Sequence, residues 1–348
     1  MTKKLFYTIS SLLLIVFLSG CSLFPSAPKG KSGGGGGNGV YKSEDKGIGW
    51  LAANNIKDSI NKIDRLNVRK ISSDIRDSRI MYIGTNDGLY LSEDAAGSWQ
   101  VIQAGVSIAD FALNPKTRGL IYTVAGSQVY KTTDDGKNWS LIYTETKPKV
   151  VITSVIVSHF DTSRVYVLNS SGSLMRSNDW GESWKLMYDF KVRTSKLYMN
   201  PKNSTLMYVR ADNGLYRTRD EGSTWEKIMV GQNQYFPGSE NHKDLFFHKS
   251  SNVLFHLSNF GILKSSDDGE SWQDIKLISP AGSVDIGTLG INPKDSREIY
   301  YTVNNILYHT IDGGLNWKTK VLPSGSLKIN QMLIDFYDPG NIYIGIGQ

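Results

Sequence analysis

Residues 132–139 read TTDDGKNW, and their pattern, [S/T]-x-D-x-G-x-x-W, decides the fold because it keeps returning. It recurs at Ser43–Trp50 (SEDKGIGW), Ser177–Trp184 (SNDWGESW), Thr218–Trp225 (TRDEGSTW), Ser265–Trp272 (SSDDGESW) and Thr310–Trp317 (TIDGGLNW). Ser92–Trp99 (SEDAAGSW) is a variant, with Ala96 at the glycine position and Gly97 one residue later. Successive copies start 49, 40, 45, 41, 47 and 45 residues apart, and seven of the eight tryptophans serve this one role. A period of that size marks an architecture of repeated supersecondary units.

Each copy has the same upstream context. DFALNPK from Asp110, LIYTV from Leu120 and QVYK from Gln128 precede one motif, and KLYMNPKNSTLMYVRADNGLYRT from Lys196 precedes another. GTLGINPKDSREIYYTVNNILYHT from Gly287 follows suit, as does, more loosely, LFFHKSSNVLFHLSNFGILKS from Leu245. The spacing predicts three short strands, A, B and C, with the motif as the C–D turn and strand D starting at the tryptophan. Four strands in 40–50 residues make one blade of a β-propeller. The C-terminal run from Met332 supplies strands A and B of a blade, while Gly39–Lys42 and the first motif supply C and D. Together they complete a seventh blade and close the ring, which removes the open strand edges of a linear array. The expected fold is therefore all-β: a seven-bladed propeller of four-stranded antiparallel blades over residues 39–348, closed by pairing of the two ends.

These motifs resemble the Asp-boxes, or bacterial neuraminidase repeats, of the sialidase superfamily. Their hydroxyl and carboxylate suit bonding to turn amides, glycine suits a positive φ, and the indole suits packing between strands. Asp45, Trp50, Asp94, Trp99, Asp134, Trp139, Asp179, Trp184, Asp220, Trp225, Asp267, Trp272, Asp312 and Trp317 are accordingly read as structural. Repetition spreads such residues around the periphery of a ring, where they cannot converge on one catalytic centre.

The N-terminus reads as an address. Lys3-Lys4, the apolar run Leu5–Leu18 and Ser19-Gly20-Cys21 make a secretory signal over residues 1–20. Leu18-Ser19-Gly20-Cys21 also resembles the bacterial lipobox, so Cys21, the only cysteine, is the expected lipidation site. Residues 21–38 then form a Gly-rich tether; a coil of this kind averages roughly 20–25 Å in reach. The chain is expected to be extracytoplasmic and held on a bacterial membrane. Ser22 in place of aspartate favours the outer membrane in an organism that has two.

The formal charge is +6, or +4 without Lys3 and Lys4. This bias suits an acidic partner or an anionic surface and falls short of a nucleic-acid footprint. A lone cysteine excludes an internal disulfide and a thiolate metal site, and His159, His242, His248, His256 and His309 lack metal-site spacing. No cofactor and no metal are expected.

Function is expected on the face opposite the Asp-boxes, where the D–A connections differ from blade to blade. Residues 51–67 carry Ile56, Ile60 and Ile63 at the spacing of a short amphipathic helix. Arg65, Arg69, Lys147, Lys149, Arg193, Lys196, Arg210, Tyr235 and Lys328 are the candidate binding residues, a basic ring with an aromatic among them.

The Arg-Ile-Pro motif of sialidases is absent, and Arg79-Ile80-Met81 falls in an expected strand. Xyloglucanase-type enzymes share the repeat but use two propellers with a cleft between them, and sortilin-type receptors use ten blades and cysteine-rich modules. The whole chain more closely resembles the photosystem II stability and assembly factor family. That resemblance implies a monomeric scaffold that binds a membrane-associated protein partner through a basic face. Catalysis is not expected; a glycosidase or glycan-binding propeller is the alternative.

Overall fold

The computed structural model describes residues 37–229 and 231–347. The signal segment, Cys21 and most of the tether lie outside the described residues. Seven four-stranded antiparallel sheets form, each from strands in chain order except one. That exception is the blade made by both ends: Lys328–Ile334 pairs Ile342–Gly347, which pairs Gly39–Ser43, which pairs Leu51–Ala52. Blades are numbered from the sheet that begins at Val68, so this shared blade is the seventh.

The A strands are Val68–Ser73, Asp110–Leu113, Ile152–Val157, Thr194–Asn200, His242–Phe247, Ile286–Ile291 and Lys328–Ile334. They stand innermost and pack on one another around a central channel. Strand B is the most buried, as in VYVLN at Val165–Asn169 and IYYTV at Ile299–Val303, because sheets cover both of its faces. The core is accordingly seven separate seams between adjacent blades. One seam joins Tyr122, Val124, Val155 and Val167; another joins Tyr41, Tyr300, Ile342 and Ile344. Burying apolar area in every seam stabilises the ring only when the last seam also closes.

The Asp-boxes repeat one hydrogen-bond scheme. In the box of blade four, Thr218 Oγ1 donates to Asp220 Oδ1 at 2.6 Å and accepts from Gly222 N at 3.0 Å. Thr224 N and Oγ1 donate to the same carboxylate at 2.8 and 2.6 Å. The indole NH of Trp225 returns to Gly222 O at 3.1 Å. Several tryptophans also reach the preceding blade: Trp139 donates to Ile102 O at 2.8 Å and Trp317 to Lys276 O at 2.8 Å. In the variant box Ala95 and Ala96 both take positive φ, 55° and 65°, where the other boxes place glycine at the second position. Ser92 and Asp94 keep the scheme intact around them.

Two local expectations fail. Residues 53–67 form no helix. Their backbone is committed to neighbours instead: Ala53 N to Val40 O, Lys57 N to Trp99 O, and Trp99 N to Asn55 O. Asn54, Asn55 and Asn61 are poor helix formers, and only Ile63 of the three isoleucines is fully buried, while Ile60 is 98% exposed. Arg79 and Ile80 lie in the turn before the strand, which starts at Met81.

Candidate functional site

The inner strands build the site. In most blades the A–B pairing shifts register near the start of strand A, for example between Val68 and Lys70, Thr194 and Lys196, and His242 and Asp244. Such bulges re-aim a side chain. Here they carry Lys70, Ser154, Lys196 and Asp244 to one level of the channel, where Asp110 at the start of the regular blade-two pairing joins them. Lys70 Nζ donates to Asp110 Oδ1 at 2.6 Å, and Asp110 Oδ2 accepts from Ser154 Oγ at 2.9 Å. Lys196 Nζ meets both oxygens of Asp244, at 2.9 and 3.0 Å, and Tyr198 OH donates to Asp244 at 2.6 Å. This belt links blades one, two and three and blades four and five.

Past the belt, alternation along the strands turns Ser72, Ala112, Ile156, Tyr198, Phe246 and Met332 to a cavity of about 750 Å³. Gly290 leaves space that Met332 fills; a Cβ there would collide with Met332 Sδ. The cavity reaches the A–B turns, where Ile75, Pro115, His159, Pro201, Lys249, Pro293 and Phe336 hold the equivalent position of the seven blades.

Those turns are stitched to one another. Each starts at a capping side chain, as when Asn114 Oδ1 accepts from Lys116 N and Thr117 N at 2.9 Å. The next polar residue reaches a carbonyl of the following blade: Arg76 to Lys116 O (3.2 Å), Lys116 to Phe160 O (2.9 Å), Lys202 to Ser250 O (2.9 Å). Ser250 to Pro293 O (2.6 Å), Lys294 to Tyr337 O (2.6 Å) and Tyr337 OH to Ile75 O (2.7 Å) continue the circuit. Six of seven junctions are bridged this way, and Phe160 stands at the seventh. The Asn-Pro-Lys lysines are thus blade clamps. Their recurrence at Lys116, Lys202 and Lys294 was the available signal for that role.

The opposite face carries the D–A connections. A pocket of about 280 Å³ there is lined by Arg210, Lys243, Asp244, Asp285, Lys328 and Asn330 among others. The nine candidate residues divide into two groups. Lys196 is held in the channel by Asp244, and Arg210 donates to the Lys243 carbonyl, so both serve the scaffold. Lys147 donates to Ser173 Oγ at 3.2 Å and Arg69 to Ser107 Oγ at 2.8 Å. Arg193 has only a loose ion pair with Asp212, 3.8 Å away. Among the described residues, the exposed side chains of Arg65, Lys149 and Lys328 make no hydrogen bond or ion pair, although Lys328 lies near enough to Asp285 to lower its pKa, and Tyr235 is 69% exposed.

Sequence reasoning missed the His242–His256 pair beneath this face, joined Nδ1 to Nε2 at 2.7 Å, with His256 edge-on to Trp272. Burial, and then the charges of Arg210 and Lys227, push His242 down to about 4.

Acidic residues concentrate in the Asp-boxes. Fourteen of the 33 acidic residues stand in the seven Asp-boxes, against three of the 39 lysines and arginines. Those box aspartates are fixed as anions. The Asn138 amide holds Asp134 down to about 2, the Ser177 hydroxyl does so for Asp179, and the Thr218 hydroxyl for Asp220.

Residues 127–259 match the family model described as Sortilin-Vps10, sortilin and neurotensin receptor 3. Among curated proteins, the xyloglucanase Xgh74A of Acetivibrio thermocellus is 27% identical over 36% of this chain and 20% of the enzyme. A xyloglucanase of Hypocrea jecorina is 26% identical over 64% of this chain and 27% of the enzyme. The chain thus spans about a quarter or less of the curated relatives it matches. Among solved structures, YCF48 bound to a D1 peptide superposes with a TM-score of 0.62 at 17% identity, covering 81% of this chain and 94% of that one. YCF48 from Cyanidioschyzon merolae gives 0.63 at 13% identity, covering 80% and 95%. The GH74 xyloglucanase from Xanthomonas campestris gives 0.64 at 14%, covering 80% and 51%. The chain is a seven-bladed propeller similar to both groups. The expectation that it lacks enzymatic activity is overturned by the xyloglucanase matches. A repeat that marks turns is blind to catalytic carboxylates on the non-repeating loops, so its structural role never excluded catalysis.

Proposed function

We propose that this chain is a membrane-tethered, extracytoplasmic binding propeller that holds an extended segment of a membrane-associated protein on its D–A face. The exposed, weakly paired cations of the D–A loops carry this reading. Among the described residues, the exposed side chains of Arg65 and Lys149 have no ion pair, Arg193 has only the loose one to Asp212, and Lys328 stands beside Asp285 without a contact pair. Unpaired cations around a concave centre attract an acidic or carboxylate-bearing segment and speed its encounter. The propeller named YCF48 bound to a D1 peptide, whose whole length this chain nearly spans, supports a peptide partner. The tether reading rests on Lys3-Lys4, the apolar run and Cys21. Crosslinked capture from native membranes tests it. Arg65→Glu, Arg193→Glu and Lys328→Glu together should abolish recovery of the partner, and recovery unchanged by the reversal would refute the proposal.

Glycoside hydrolysis is a second reading, favoured by the xyloglucanase relatives. Asp244 and Asp285 line the pocket of the same face, and Asp285 is paired with Lys243. Release of reducing ends from xyloglucan oligosaccharides, lost in Asp285→Asn, would support it; no turnover by the wild type would dismiss it.

A further inference from the structure

The channel cavity and its mouth belong to neither reading above, and they are built as a binding site. Lys249 sits in the A–B turn of blade five, yet its ammonium lies 5.6 Å from the ring centroid of Phe336 in blade seven. The side chain therefore passes across the mouth, over Pro293 of the intervening blade. It is open to water and still surrounded by protein, as expected of a group hanging in a wide cavity opening. Among the described residues no carboxylate lies within ion-pair distance of it, unlike Lys70 and Lys196 deeper in the channel. The protein packed around the ammonium pulls the Lys249 pKa down, and the Asp335 charge partly offsets this. The pKa of His159, across the same mouth, is lowered first by the protein packed around the ring and then by the Lys249 charge. Lys116 also lines the mouth but spends its ammonium on the Phe160 carbonyl at 2.9 Å, so Lys249 is the mouth's uncommitted cation among the described residues. Behind it stand the apolar walls of Ala112, Ile156, Phe246 and Met332, and the charges of the belt beyond are already neutralised within it.

We propose that this cavity binds a small amphipathic carboxylate, its head on Lys249 at the mouth and its apolar body along the channel wall. A single cation matches a monovalent head, whereas a phosphate would call for several convergent donors. The volume, about 750 Å³, is in the range of small-ligand sites and accommodates a body of ten or so carbons.

Calorimetric titration of the protein with decanoate, decanol and acetate, each below its aggregation threshold, tests this. Decanoate should bind one to one, decanol at least about tenfold more weakly for want of the charge-assisted contact, and acetate not measurably. Lys249→Met should weaken decanoate about tenfold and leave decanol unchanged. Ala112→Phe, which narrows the channel, should weaken both. Absence of saturable decanoate binding would overturn the proposal, as would equal binding of decanol or indifference to Lys249→Met.

Discussion

Replacing Glu298 by alanine should cost the fold about 3–5 kcal/mol, because this one carboxylate fastens the sixth blade to the chain's N-terminal portion. Glu298 is 5% exposed and accepts from Asn292 Nδ2 at 2.6 Å, Tyr300 OH at 2.8 Å and His309 Nε2 at 3.0 Å. It also receives Lys46, from the first Asp-box, at 3.0 and 3.2 Å. Alanine would strand the Asn292 amide and the Tyr300 hydroxyl, both buried, at about 1–3 kcal/mol each. Lys46 is about half exposed and can turn to water, so its share is no more than about 1 kcal/mol. The assay is urea unfolding at pH 7, with Lys46→Ala and the double variant completing a cycle whose coupling should be about 0.5–1 kcal/mol. The effect should also depend on pH. Burial pushes the Glu298 carboxyl up, but the bonds from His309, Asn292, Tyr300 and Lys46 outweigh it and hold the pKa well below the ordinary value of 4.5. Its contribution is therefore complete above about pH 4.5 and fades as the medium becomes more acidic, so wild type and variant should converge there. A loss below about 1 kcal/mol at pH 7, or a gap that does not narrow in acid, would refute the reasoning.

Further predictions concern other joints of the ring. Trp225→Ala removes an indole packed on Phe190 and Tyr188 and should cost about 2–4 kcal/mol in the same assay, with an unchanged melt counting against a structural Asp-box. Ala95→Gly should raise stability by about 0.5–1 kcal/mol, since alanine there sits at φ 55°, and a loss on calorimetric melting would contradict this. His242, depressed to about 4, is half-buried and neutral at pH 7; the stability it supports is whole above about pH 6.5 and falls as pH drops toward 4. Urea midpoints should thus fall between pH 7 and 5, less steeply in His242→Asn, and parallel slopes would refute the assignment.

The parts of this molecule that repeat were legible, and the parts that do not were not. Serine or threonine, aspartate, glycine and tryptophan recur at fixed offsets because each blade must make the same turn, and the spacing therefore showed the blades and their closure through Gly39–Ser43. The channel belt has no such signature. Equivalent positions hold Lys70, Asp110, Ser154, Lys196 and Asp244, five residues of three chemical kinds, because each answers its neighbour across a seam and not its counterpart in the next repeat. Loop position suggested Lys196 and Arg210 as free binding cations, but Lys196 lies on an inner strand, and the coordinates show that Asp244 and the Lys243 carbonyl consume the two. The isoleucines of residues 51–67 had helical spacing, and pairing to Val40 and Trp99 overrode it. Lys249 was invisible as a site residue because its reach spans two blades.

The most direct test of the central claim is to map lysine-reactive crosslinks on the protein held in native membranes, because lysines mark both faces. Binding through the D–A face predicts partner crosslinks at Lys149, Lys191 and Lys328, lost at raised ionic strength, with Lys116, Lys202 and Lys294 unlinked. Crosslinks confined to those last three, which clamp the A–B turns, would place the partner on the Asp-box side and contradict the account.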